Sequence, residues 1–303
     1  MSRRIALLLS AALVALLCIP RPAFAHVSPA AGEPRVSMRL ASSAVRQGDV
    51  LIVRVATADP SQVAGLFGEQ QLRFAPEEEA AEVGANRYIS LLGIDALHDT
   101  GSFPILITAT AQSGAVDLTA GQATVRAGRY VRESVTLTRT LAPLLDPALN
   151  AEEEQIMRAI YAGYSPLKWW DAPLRAPVKG RLVSLYGNRR VYNGINLGTY
   201  HAGYDFAAGK GAPVLAAAPG RVAAVRELAI RGNTVVIDHG RGVFTSYFHL
   251  SEVEVGEGQM VDAGNEIGKV GSTGRSQGNH LHFELAVGGA PVDPGYWFDV
   301  ALP

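Results

Sequence analysis

From Arg181 to Val287 the chain is a succession of short apolar segments cut apart by glycine, and helical periodicity is nearly absent. The segments are Arg181 to Leu185, Pro213 to Ala217, Arg221 to Arg226, Thr234 to Asp238, Val243 to His249, Glu266 to Val270 and His280 to Val287. Short runs bounded by turn residues read as strands. A compact, mostly antiparallel β domain is therefore expected over residues 176–303.

The stretch from Arg35 to about Leu137 reads the same way. Leu51, Val53 and Val55 alternate with Ile52, Arg54 and Ala56, and Pro104 to Ala109 is rich in strand formers. Turn residues cluster at Gln47-Gly48-Asp49, Ala58-Asp59-Pro60, Gly84-Ala85-Asn86 and Ser113-Gly114. About seven such strands suit an immunoglobulin-like (Ig-like) β-sandwich over residues 26–136. Asn150 stands as a helix N-cap with Glu153 as its capping-box partner, and Ile156, Met157, Ile160 and Tyr161 follow at helical spacing. One helix is predicted from Ala151 to Ala162, packed on a neighbouring domain, within a proline-containing connector over residues 137–175. The fold class expected is mainly β: an Ig-like sandwich, a short helical connector and an antiparallel C-terminal domain.

The first 25 residues are read as a leader. Arg3 and Arg4 precede an apolar run from Ile5 to Ile19, and Ala23-Phe24-Ala25 matches a small-x-small cleavage site. Cleavage after Ala25 leaves His26 as the mature N-terminus, with no stable membrane span. The product is expected to be exported, to the periplasm or to the cell wall and beyond. Cys18 is the single cysteine and departs with the leader. A catalytic cysteine is thus excluded, and any metal must be held by histidine and carboxylate. The formal net charge is −1, with no basic stripe of the kind nucleic-acid binders carry.

Five of the seven histidines lie between positions 201 and 282. In the last segment His280, His282 and Glu284 share one parity and Leu281, Phe283 and Leu285 the other. Strand side chains alternate faces, so the apolar set packs inward and both histidines project from the opposite face. His201 and Asp205, four residues apart in an extended segment, also share a face. Two imidazoles and a carboxylate are the donor types of catalytic zinc, which keeps a fourth position open.

His201-x-x-x-Asp205, Tyr247-Phe248-His249-Leu250 and His280-Leu281-His282-Phe283 together resemble the lysostaphin/LytM-type zinc metallopeptidases. The glycine framework is similar too: Gly211-Ala-Pro-Val214, Pro219-Gly220-Arg221-Val222, Gly232-Asn233, Asp238-His239-Gly240 and Gly271-Ser-Thr-Gly274. The resemblance covers residues 177–303. It implies one zinc ion per chain on His201, Asp205 and His282, with His249 and His280 as the catalytic histidines. No His-Glu-x-x-His base exists, so a histidine must handle the proton of the attacking water. One of the pair is expected to accept it and the other to stabilise the oxyanion.

The resemblance further implies a cell-wall endopeptidase acting on peptidoglycan peptide stems. A glycine-preferring endopeptidase on secreted protein is an alternative. So is a non-enzymatic activator of other cell-wall hydrolases, with those hydrolases or divisome proteins as partners, although such relatives lack part of the metal set. Among other residues, His239 is assigned a structural role, Glu284 a solvated position ahead of the alternative that it orients a ligand, and His98 and Glu77 to Glu79 solvated positions. Tyr200, Tyr204 and Tyr247 are weighed equally as groove lining and as packing. Gly271 to Gly278 is assigned to a wall of the cleft.

Overall fold

The computed structural model describes residues 35–77 and 86–303. The expected leader with Cys18, His26, Glu78, Glu79 and the Gly84-Ala85 turn lie outside the described residues. The chain is mainly β. Among the described residues, no helix is long and apolar enough to cross a membrane.

Two sheets make up the N-terminal part. One runs in the order Val36–Leu40, Val50–Thr57, Arg87–Gly93, Ala75–Pro76; the other Ala44–Arg46, Val116–Arg126, Gly101–Ala111, Ser61–Phe67, Gln70–Arg73. These nine strands exceed the expected seven, because pieces as short as Ala44–Arg46 and Ala75–Pro76 carry no readable alternation. Leu51, Val53, Val55 and Leu92 of the first sheet meet Phe67, Ile105, Ile107 and Val125 of the second in one apolar core.

The outer face of the first sheet is covered as well. Val50, Ile89 and Leu91 belong to a second core with Val287, Val292 and Trp297, and Ile52 packs against it. This explains why Leu51-Ile52-Val53 is apolar without interruption: each face of that strand fills a different core. Two glycines permit the close approach. A Cβ on Gly93 would lie 2.5 Å from the Val287 carbonyl oxygen, and one on Gly288 (φ +58°) 2.8 Å from that of Leu91.

A ten-stranded sheet dominates the C-terminal part, antiparallel in every pairing. Tyr204–Ala207, His280–Val287, Val243–Val253, Gly232–Gly240 and Gly220–Leu228 are successive neighbours in it. Tyr204–Ala207 is absent from the predicted strands, since Tyr-Asp-Phe-Ala is too short to show a period. Arg132–Val135 leaves the sandwich sheets and pairs in parallel with Arg189–Tyr192.

The single α-helix among the described residues runs from Pro147 to Tyr161 rather than from Ala151 to Ala162. Asp146 caps it through a 2.9 Å bond from the Ala148 amide, and Pro147 fits the first turn, where an N–H would be unpaired anyway. Glu153 is therefore no capping-box residue. It is buried, and its carboxylate accepts the Ile230 amide at 2.6 Å and the Arg231 amide at 3.2 Å. Met157 and Tyr161 pack on Ala224, Val236, Phe244 and Phe248, in line with the expected packing on a neighbouring domain.

Candidate metal centre

Register builds the site. Tyr204–Ala207 pairs with His280–Val287 so that Asp205 lies directly opposite His282. Cross-strand partners share a face, which brings a carboxylate and an imidazole together. Gly203 allows the approach, because a Cβ there would stand 2.0 Å from the Phe283 carbonyl oxygen. Leu281, Phe283 and Leu285 fill the core on the other face, as parity predicts.

His201 reaches the pair from just before the Tyr204–Ala207 strand. Its Nε2 lies 2.9 Å from Asp205 Oδ1 and 2.9 Å from His282 Nδ1, and His282 Nδ1 lies 2.7 Å from Asp205 Oδ1. The three donors thus converge on one point, as a metal site requires. The far nitrogen of each ring is committed. His201 Nδ1 donates to the Leu185 carbonyl at 2.8 Å, and His282 Nε2 meets Glu284 Oε1 at 3.1 Å. Those bonds assign the tautomers, leaving the converging nitrogens as lone-pair donors. Asp205 Oδ2 is held by Arg190 Nη2 at 2.5 Å, so only Oδ1 faces the rings.

His249 departs from simple alternation. Tyr247 and Leu250 point into the core while Phe248 stacks on His282. Alternation would send His249 to the Tyr247 side, but its left-handed backbone (φ +61°) turns the ring back. It lies 4.8 Å from the His280 ring and 6.2 Å from that of His282. Its Nδ1 donates to the Thr273 carbonyl at 2.8 Å, and His280 Nδ1 donates to that of Gly278 at 2.9 Å. Both rings therefore turn Nε2 away from the loop, and that of His280 lies 3.8 Å from Asp205 Oδ1. Thr273 and Gly278 belong to the glycine-rich loop, which does form a wall of the cleft.

Burial opposes ionisation of Asp205, yet the His201 and His282 rings hold its carboxyl well below the usual carboxylate range. Burial also depresses His201, against the pull of Asp205. It pushes His249 down to about 3, with help from the neighbouring His280 and His282 rings. On His282 burial acts downward too, but the bonds to Asp205 and Glu284 outweigh it and raise the pKa. An ionised Asp205 beside a neutral His201 suits a cation, and His249 stays neutral.

Several residues differ from expectation. Glu284 is buried, not solvated, because the Pro147–Tyr161 helix covers its face, and it accepts the Tyr161 hydroxyl at 3.0 Å. His98 is half-buried against Phe103, ring centroids 5.0 Å apart. Glu77 pairs with Arg54 at 2.7 Å. His239 is structural, bonded to the Pro219 carbonyl (2.6 Å) and to Thr245 Oγ1 (2.8 Å). Tyr247 is packing, its hydroxyl accepting the Ala217 amide, whereas Tyr200 lines the cleft beside His201. Arg190 and Arg275, which also line the cleft, were not singled out by sequence reasoning.

Residues 199–294 match the model of peptidase family M23. Among relatives, the peptidoglycan DD-endopeptidase ShyA of Vibrio cholerae serotype O1 is 43% identical over 121 residues, 39% of this chain and 28% of its own length. The DD-carboxypeptidase/endopeptidase Mpg of Neisseria meningitidis serogroup B is 43% identical over 123 residues, 41% of this chain and 27% of its own. The chain thus spans under a third of the length of these relatives. A solved structure described as a peptidase M23 from Pseudomonas aeruginosa is 24% identical with a TM-score of 0.59, over 84% of this chain and 95% of that one. The likeness in fold therefore extends well beyond residues 199–294.

Proposed function

We propose that this chain is an exported zinc metalloendopeptidase that hydrolyses peptide cross-links of bacterial peptidoglycan. The observation that carries the reading is the convergence of His201 Nε2, Asp205 Oδ1 and His282 Nδ1 beside two further histidines. His201, Asp205 and His282 would hold one zinc ion, which supplies a Lewis acid that activates water at neutral pH and polarises the scissile carbonyl. His249 and His280 present Nε2 to the same space, one to take the proton and the other to stabilise the oxyanion. Arg190, by occupying Asp205 Oδ2, orients the carboxylate.

The name of ShyA supports the substrate class, and the names of ShyA and Mpg both support endopeptidase activity. The export part of this reading rests on the leader expected over the first 25 residues, and suits a substrate that lies outside the membrane. The sandwich ahead of the peptidase domain is assigned, as an Ig-like module, to positioning the enzyme. The test is digestion of purified peptidoglycan with and without a chelator, followed by identification of the cleaved bond. Chelator-sensitive release of peptide products is expected. A purified protein that binds no zinc, or binds zinc and leaves peptidoglycan intact while stimulating another hydrolase, would favour the activator reading instead.

A further inference from the structure

Arg190, Tyr192, His249 and Arg275 line both cavities that flank the metal cluster, one of about 490 Å³ on the His280 side and one of about 100 Å³ on the Arg231 side. A substrate crossing the cluster from one cavity to the other passes these side chains. Three guanidiniums, on Arg190, Arg231 and Arg275, therefore serve one short stretch of cleft. Two are neutralised from behind. Arg190 pairs with Asp205 and Glu133, and Arg231 with Glu153.

Arg275 differs. Its Nη1 donates to the Leu144 carbonyl (3.0 Å) and to Asn150 Oδ1 (3.2 Å), both uncharged, and its guanidinium lies 4.7 Å from the centroid of the Tyr192 ring. Among the described residues it has no carboxylate partner, and its Nε and Nη2 edge is uncommitted. The carboxylates that line its two cavities are engaged elsewhere: Glu284 with His282 and Tyr161, Glu154 with Arg158, and Glu133 and Asp205 with Arg190. Burial, together with the charges of Arg231 and Arg190, disfavours its charged form and outweighs the opposing pull of Tyr192 and Glu153. A partly buried guanidinium without a counter-ion is costly, and its planar fork matches a carboxylate through two parallel bonds.

We propose that Arg275 is the carboxylate anchor of the cleft, binding a free carboxylate carried by a residue adjoining the scissile amide. The proposal rests on the zinc-peptidase reading above and narrows its substrate class. Stems whose junction residue keeps its carboxylate free are substrates, whereas amidated stems and glycine bridges are poor ones.

The experiment uses zinc-loaded, full-length mature protein and two cross-linked muropeptide dimers. The dimers differ only in whether the carboxylate next to the cleaved amide is free or a carboxamide. Wild type is expected to favour the free acid by about 10- to 100-fold in kcat/KM, the range of a hydrogen bond to a charged group. Arg275→Gln should reduce that ratio to near unity, and Arg275→Lys should keep part of it. Equal cleavage of both dimers by wild type overturns the proposal without needing any variant to fold. So does a preference that survives intact in folded Arg275→Gln. Failure to cleave either dimer with zinc bound counts against the peptidase reading itself.

Discussion

The sandwich core and the C-terminal sheet use the same strand alternation to opposite ends. Between the sandwich sheets the shared core is built from apolar side chains from Val36 to Val125, and Ser90 is the one buried polar residue that those strands contribute among the described residues. The C-terminal sheet instead buries His201, Asp205, His239, His249, His282 and Glu284. In an ordinary half-buried sheet the polar parity of a strand faces water. Here the polar parity of His280–Val287 lies partly beneath the Pro147–Tyr161 helix, where Glu284 meets Tyr161. Cover, rather than composition, turns a polar strand face into a chemical site. It removes solvent from groups that then need one another, or a cation, as partners.

Substitutions on the two sides should separate cleanly, and their effects on hydrolysis can be ranked. His282→Ala should lose zinc and bring hydrolysis to background, checked by metal content and peptidoglycan digestion on the same sample. His249→Ala should keep zinc and lower the rate by about 10²- to 10⁴-fold, as for loss of a general acid or base. If near-full rate persisted with zinc bound, the assignment of His249 would be wrong. Glu284→Gln should weaken zinc affinity or rate by about 10- to 100-fold, the usual effect of losing a group that orients a ligand; zinc titration against a competing chelator measures it.

Two further changes should spare turnover at neutral pH. The His239 ring is held at about 4 by burial, below its ordinary 6.5. As pH falls below 6.5 the unfolded chain takes up a proton that the native ring refuses until about 4. Stability present above pH 6.5 is thus lost across that window, by about 3 kcal/mol. Urea unfolding from pH 7 to 4 should show this slope in wild type and a shallower one in His239→Gln. In the apolar core, Leu51→Ala should cost about 2–5 kcal/mol of stability while kcat per folded molecule stays unchanged. A drop in kcat there would couple the sandwich to the site.

Much of the centre was legible because strand parity is strict. His280 and His282 had to share a face, and Leu281 and Phe283 had to oppose it. The spacing of His201 and Asp205 stated compatibility with a shared face but not their partner, which only register against His282 supplies. Glu284 carried the right parity, yet parity names a face and says nothing of what covers it. Glu153 was misread because capping-box spacing is local, whereas its acceptor role depends on amides at positions 230 and 231. His249 obeyed no parity at all, since a left-handed residue resets the alternation. Arg190 and Arg275 lie in segments without period, and nothing short of the fold brings them into the cleft.

The strand Val50–Thr57 lends one face to each of two cores. Heat or denaturant cannot strip the sandwich away without opening the wall of the peptidase core at Val50, Ile89 and Leu91. Calorimetry of the mature chain should accordingly record one transition, and a protease should find no intermediate in which the peptidase domain survives alone. A truncation cut at residue 136 would present that wall to water as a sticky patch, so its loss of activity would report aggregation before it reported any guidance of substrate.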